Sequence, residues 1–228
     1  DCTVTEYGFG FLYANKSTPT VNVKNVTVTG GNYGFHWVYG TTATLENVTM
    51  TNVKYGIYVQ NYAAKTINIK DSNISSIDIW EREGYSAVQT FKFEGANKVV
   101  TLENSEYAKY VLATTAATLT APEGVSVTTD AAGYTVKYED GKYVVKGKVA
   151  IGEATYASLA EAIAAANAGD TITFLTDITE DVTITKDLTI DGVTHKYTGN
   201  ISVKGAQVDV VIKNVNFENG TGYAITTN

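Results

Sequence analysis

This chain is poor in several things at once. Its 228 residues hold one cysteine and one arginine, and only 18% are charged. A lone Cys2 excludes an intrachain disulfide framework. The net charge of −7 and a pI near 4.9 argue against nucleic acid or an anionic membrane as partner. No stretch is long and apolar enough to span a bilayer, and no signal peptide is visible, so the chain reads as mature or excised. Metal-ligand spacings, a phosphate-cradling glycine loop and a nucleophile elbow are also missing. No cofactor or metal is expected. Abundant Thr, Asn, Gly and Tyr with little charge suits an extracellular, cell-surface protein.

What is present is a repeat. Val21-Asn22-Val23-Lys24-Asn25-Val26-Thr27-Val28 is followed by Tyr33-Gly34-Phe35-His36-Trp37. The phrase returns at Thr44-Leu45-Glu46-Asn47-Val48-Thr49-Met50, followed by Tyr55-Gly56-Ile57-Tyr58-Val59. It returns again around Asn214, and in degenerate form around Asp71, Asp1 and Asn104. The steps from Asp1 to Asn25, Asn47 and Asp71 are 24, 22 and 24 residues. A period in the twenties marks a solenoid. Apolar residues alternate within each copy, as strands with one buried face do. The Asn or Asp interrupts the alternation, and a left-handed bend there returns the next apolar residue to the interior. The predicted bends are Asp1, Asn25, Asn47, Asp71, Asn104 and Asn214. The strand after the glycine should bury Phe9 and Phe11, Phe35 and Trp37, and Ile57 and Val59. Cys2 aligns with Val26 and Val48 on the inward face.

Stacked bends would let their amides bond along the stack, one strand spacing (about 4.8 Å) apart. This pattern resembles the right-handed parallel β-helix of the pectate-lyase-like superfamily, where Asn ladders occupy the tight bend. The resemblance covers about two thirds of the chain and speaks to fold, because that fold carries lyases, hydrolases, tailspikes and adhesins alike. The expected fold class is therefore all-β: a β-helix with one short capping helix and a small hairpin appendage.

Four segments follow. Residues 1–107 read as successive coils. The step from Asp71 to Asn104 is long, and the excess, Ser76 to Glu83, is expected to project as a loop. Residues 108–148 read as a linker and a hairpin turning at Asp140-Gly141. Residues 149–170 hold the one helix, Ser158 to Gly169. Ser158 and Glu161 form a capping box, Leu159, Ala162, Ile163 and Ala166 an apolar stripe, and Gly169 a C-terminal cap. Residues 171–228 return to coils. The segment from Ile151 to Ile172 is similar to the opening module of many bacterial surface β-helix proteins, where a short amphipathic helix covers the first coil.

The lid is thus encoded after most of the coils it should precede. That order predicts a window of a tandem-repeat protein, or subunits joining end to end, with a circular permutant as a third possibility. The first two give a stalk or filament.

Evidence for chemistry is thin. Pectate lyases of this fold hold calcium on clustered acids and use Arg or Lys as base, and polygalacturonases use Asp residues, a His and Arg-x-Lys. This chain has no Arg-x-Lys, and its one Arg, Arg82, sits between Glu81 and Glu83. If those two glutamates shared one strand face they could serve glycoside hydrolysis. A solvated loop cluster is the plainer reading, and the chain leans away from being an enzyme. His36 should face outward beside Tyr58, and His195 sits in a turn. The candidate ligand-binding residues are His36, Tyr58, Trp80, Glu81 and Glu83. The leading expectation is a structural or adhesive surface β-helix that associates with copies of itself. The alternative is a β-helix that binds or cleaves carbohydrate, with host or cell-wall glycans as partners.

Overall fold

The computed structural model describes residues 2–5, 9–11, 20–37, 42–218 and 224–227. The described residues form an all-β solenoid of about nine turns with one short helix. It divides into two compact units, Asp1–Ala131 with Val136–Val145, and Ala132–Thr135 with Lys146–Asn228.

In the first unit the strands Thr20–Thr29 and Thr42–Thr51 run parallel and in register from Thr20↔Thr42 to Thr29↔Thr51. Each bends midway, at Asn25 (φ 58°) and Asn47 (φ 53°). Before the bend, strands Lys65–Lys70, Gln89–Glu94, Ala108–Leu112 and Val127–Thr129 continue one sheet face. After it, Cys2–Thr5 pairs at one end, and Asn73–Trp80, Ala96–Leu102 and Thr118–Thr120 follow at the other. A third face carries Phe9–Phe11, Tyr33–Trp37, Tyr55–Gln60 and the second half of Asn73–Trp80. The stack closes on a hairpin, Thr135–Glu139 and Lys142–Lys146. Its turn residues Asp140 and Gly141 both have positive φ, as the sequence predicts for a tight hairpin.

The core follows the register. Phe35, Ile57 and Ile77 lie in one line, and Trp37, Val59 and Ile79 in the next. Leu45, Ile69, Phe93 and Leu112 form a third. All ten are buried, as the alternation requires. Burying each such side chain is worth about 1.5–3 kcal/mol. The side chains of Cys2, Phe9 and Phe11, and the predicted bend at Asp1, lie outside the described residues.

Two expectations need correcting here. Asn104 is not a bend. It follows the strand Ala96–Leu102, whose Leu102 pairs with Ile77 on the third face. The bend of this coil is Gly95 (φ 68°), placed beside Asp71 by the Lys70↔Glu94 pairing. Leu102-Glu103-Asn104 only imitates the earlier Leu45-Glu46-Asn47. Nor does Ser76 to Glu83 project as a loop. Ser76 to Trp80 belongs to the strand Asn73–Trp80, with Ile77 and Ile79 in the core. This coil omits the turn that separates Thr42–Thr51 from Tyr55–Gln60, so one strand crosses from the second face to the third. Residues 81–88 leave the sheet, so of the expected loop only Glu81, Arg82 and Glu83 lie outside a strand.

Among the described residues of this unit one cationic side chain is buried. Lys65 is 3% exposed, and its Nζ donates to the Gln60 and Ala63 carbonyls, both at 2.8 Å. Burial lowers its pKa to about 8. Gln89, opposite it in register, donates from Nε2 to the same Ala63 carbonyl at 3.1 Å.

The second unit opens with strands Val149–Ile151 and Ala154–Tyr156 and the helix Leu159–Ala165. Ser158 Oγ accepts from Glu161 N at 3.1 Å, and Glu161 Oε2 accepts from Ala157 N at 3.3 Å. Glu180 accepts from two further free N–H groups of the first turn, Leu159 and Ala160. The helix stops at Ala165, with Ala166 as its cap. Gly169 is left-handed (φ 88°) but lies past that end, where its N–H donates to the Asp187 carbonyl. Leu159, Ala162, Ile163 and Ala166 pack onto Ile172, Phe174, Ile178 and Val182. The apolar stripe thus covers the first coil, as a lid must.

Three parallel sheets follow: Thr171–Phe174, Leu188–Asp191 and Val210–Lys213; Ile178–Thr179, Lys196–Thr198 and Asn216–Phe217; Val182–Ile184, Ile201–Val203 and Ile225–Thr227. Asn214 is left-handed (φ 55°) and donates to Asp191 Oδ1 at 3.0 Å.

Candidate functional site

The third face of the first unit carries the residues of interest on its outer side. Between each pair of buried residues one side chain must point out. Register therefore places His36 beside Tyr58 and Tyr58 beside Asp78. The Leu102↔Ile77 pairing and the bond from Glu103 N to the Ile77 carbonyl at 3.2 Å carry the row on to Glu103. Four successive coils thus line up His36, Tyr58, Asp78 and Glu103.

An aromatic cluster surrounds one end of the row. Tyr33 stacks on His36 with centroids 4.8 Å apart and on Tyr55 at 5.4 Å. Tyr58 lies 4.9 Å from Tyr55, 5.2 Å edge-on from His36, and 6.2 Å from Trp80 in a stacked arrangement. Trp80 is 44% exposed, whereas the tyrosines and His36 are half-buried. Lys54 Nζ sits 5.0 Å from the centroid of the Tyr55 ring. His36 Nε2 is buried without a hydrogen-bond partner among the described residues, and burial lowers the imidazole pKa, keeping it neutral at pH 7.

Acids hold the other end. Asp78 Oδ2 accepts from Ser76 Oγ at 2.5 Å, and Glu103 Oε2 accepts from Ile79 N at 2.5 Å. Burial raises the Asp78 pKa, with the Ser76 bond opposing. Burial also raises that of Glu103, and the charges of Asp78 and Glu81 push the same way. Glu81 Oε1 accepts from Ser105 Oγ at 2.8 Å. The Tyr58 hydroxyl is raised by burial and then by its tyrosine and carboxylate neighbours.

Beyond Trp80 the turn forms an open depression of about 260 Å³, lined by Asn61, Glu81, Arg82, Glu83, Gly84, Tyr85 and Tyr107. Asn61 fixes it, accepting from Arg82 N at 2.8 Å and donating to the Tyr85 carbonyl at 2.7 Å. Arg82 lies over the Tyr85 ring at 5.3 Å. Glu81 and Glu83 are outside the strand, which ends at Trp80. The argument that they share one strand face therefore does not hold.

The structure thus brings His36, Tyr58 and Trp80 together and sets Glu81 beside the acidic end. Glu83 lies on the rim of the depression. Sequence reasoning missed Tyr33, Tyr55, Asp78 and Glu103. Asp78 was legible from Ile77-Asp78-Ile79, which repeats Phe35-His36-Trp37 and Ile57-Tyr58-Val59. Glu103 was hidden by the misplaced bend at Asn104. Among the described residues no group of three or more His, Cys, Asp or Glu is placed to hold a metal. No protein-family model, curated protein or solved structure matches the chain.

Proposed function

We propose that this chain is a structural and adhesive β-solenoid of the cell surface, with a glycan-binding face on its first unit. The observation that carries the adhesive part is the outward row His36–Tyr58–Asp78–Glu103 with exposed Trp80 at its side. Aromatic faces suit sugar rings, and neighbouring carboxylates accept hydrogen bonds from sugar hydroxyls. A rigid stack of coils holds these groups at fixed spacing, which lowers the ordering cost of binding an extended chain. The repeat with its left-handed Asn bends supports placement near the pectate-lyase-like β-helices, and the helical lid supports likeness to bacterial surface proteins. Binding without cleavage is the reading adopted, because Glu81 and Glu83 are not paired on a strand. A glycan array probed with the wild type and with Tyr58→Ala and His36→Ala tests it. Binding that both substitutions weaken is expected; no binding to any glycan would sink the proposal.

End-to-end association with further copies is a second reading, favoured by a separate observation. Among the described residues Val210–Lys213, Asn216–Phe217 and Ile225–Thr227 each pair on one side only. Such edges are templates for a further parallel coil. Light scattering across a wide concentration range, followed by electron microscopy, checks this: growing rods are expected, and separate particles at all concentrations contradict it.

A further inference from the structure

The outward row has a charge pattern that narrows the ligand. Asp78 and Glu103 are neighbours on adjacent strands, about 4.8 Å apart along the stack. Glu81 lies close enough to act on Glu103. Among the described residues none of these three carboxylates has an ion-pair partner; their polar contacts are Ser76 Oγ, Ile79 N and Ser105 Oγ. Lys54 lies over the Tyr55 ring and Arg82 over the Tyr85 ring. The acidic end is therefore a negative surface with no ion-paired cation among the described residues; burial raises the pKa values of Asp78 and Glu103, and the charges of Asp78 and Glu81 add to the rise at Glu103. Beside it stands the exposed indole of Trp80, an aromatic face backed by Tyr58.

We infer that this face binds a glycan bearing free protonated amino groups, a glucosamine-type chain, with Trp80 against a sugar ring and Asp78 and Glu103 on the ammonium groups. The inference rests on the glycan-binding reading above and names its ligand class. A uronic acid would bring a third negative charge against two carboxylates, which is strongly unfavourable at such separations. A neutral sugar could stack on Trp80 but would leave the carboxylates without a counter-charge. An ammonium group satisfies both halves of the face, since it pairs with carboxylates and is attracted to aromatic rings.

Titration calorimetry of the full chain at pH 6 tests this with four probes: a glucosamine oligomer, its N-acetylated counterpart, an oligogalacturonate, and an oligolysine of matching charge. The glucosamine oligomer should bind at least about tenfold tighter than each of the others, a difference of about 1.4 kcal/mol. Asp78→Asn with Glu103→Gln, both close in shape to the originals, should remove most of that preference. Trp80→Ala should weaken the glucosamine oligomer while leaving oligolysine unchanged. Equal or tighter binding of the N-acetylated oligomer overturns the inference and leaves the glycan-binding reading standing. Equal binding of oligolysine overturns it as well, since charge alone would then suffice. Binding of none of the three glycans overturns the inference, and the glycan-binding reading falls with it only if the glycan array also shows no binding.

Discussion

Asn47 Nδ2 donates to Asn25 Oδ1 at 2.8 Å, joining two left-handed bends one coil apart. The two residues do two jobs at once. Each tolerates positive φ, which costs most other L-residues about 1–2 kcal/mol, and each serves as a rung for the other. Asn47→Ala should therefore destabilise the protein by about 1–2 kcal/mol, and Asn47→Gly by less, because glycine keeps the bend and loses only an exposed hydrogen bond. Urea unfolding of the three proteins checks the order. Equal stability of the alanine and glycine variants would mean that the backbone conformation carries no cost.

The relocated bend gives a second test. A Cβ on Gly95 would clash with Asp71 Oδ1, and the residue has positive φ. Asp71 Oδ1 also accepts from Ala96 N at 3.0 Å, so the carboxylate cannot move without losing that bond. Gly95→Ala should cost about 2 kcal/mol or more. Asn104→Ala should lie within about 0.5 kcal/mol of wild type, as surface substitutions do. Reversed magnitudes in chemical unfolding would restore Asn104 as the bend.

These contrasts show what the sequence carried. The fold was legible because period-two alternation and Asn bends repeat locally, and each names its own geometry. Residues Asn25, Asn47, Asp71 and Asn214 all take the left-handed conformation. The coil after Asp71 was not legible in the same way. There the bend is a glycine without a signature side chain, and a strand replaces a turn, so a similar phrase at Asn104 was read in the wrong register. His36 and Tyr58 followed from alternation, whereas Trp80 was singled out only within the stretch expected to project as a loop. In the acidic half Asp78 was legible in Ile77-Asp78-Ile79, whereas Glu103 depends on which strand lies beside which, and pairing is not written within any one segment.

Lys65 makes the stability pH-dependent. Its folded pKa of about 8 lies below the ordinary lysine value of 10.5, so between these values the unfolded chain binds more protons than the folded one. Stability must then rise with pH across that window. Between pH 8 and 9.5 the gain should be about 1.5 kcal/mol, before the tyrosines of the unfolded chain begin to ionise near pH 10. Denaturant melts at several pH values check the slope, and Lys65→Met should abolish it. A flat or falling profile in the wild type would place the amine in solvent.

The alignment of the outward row underlies both the proposed glycan face and its preference for amines. A carbon-detected NMR titration of the Glu103 carboxyl reads that alignment directly. The pKa of Glu103 should lie above that of an ordinary glutamate, and it should fall when Asp78 is replaced in Asp78→Asn. An ordinary value that ignores the substitution would contradict the account, because Glu103 would then not stand beside Asp78.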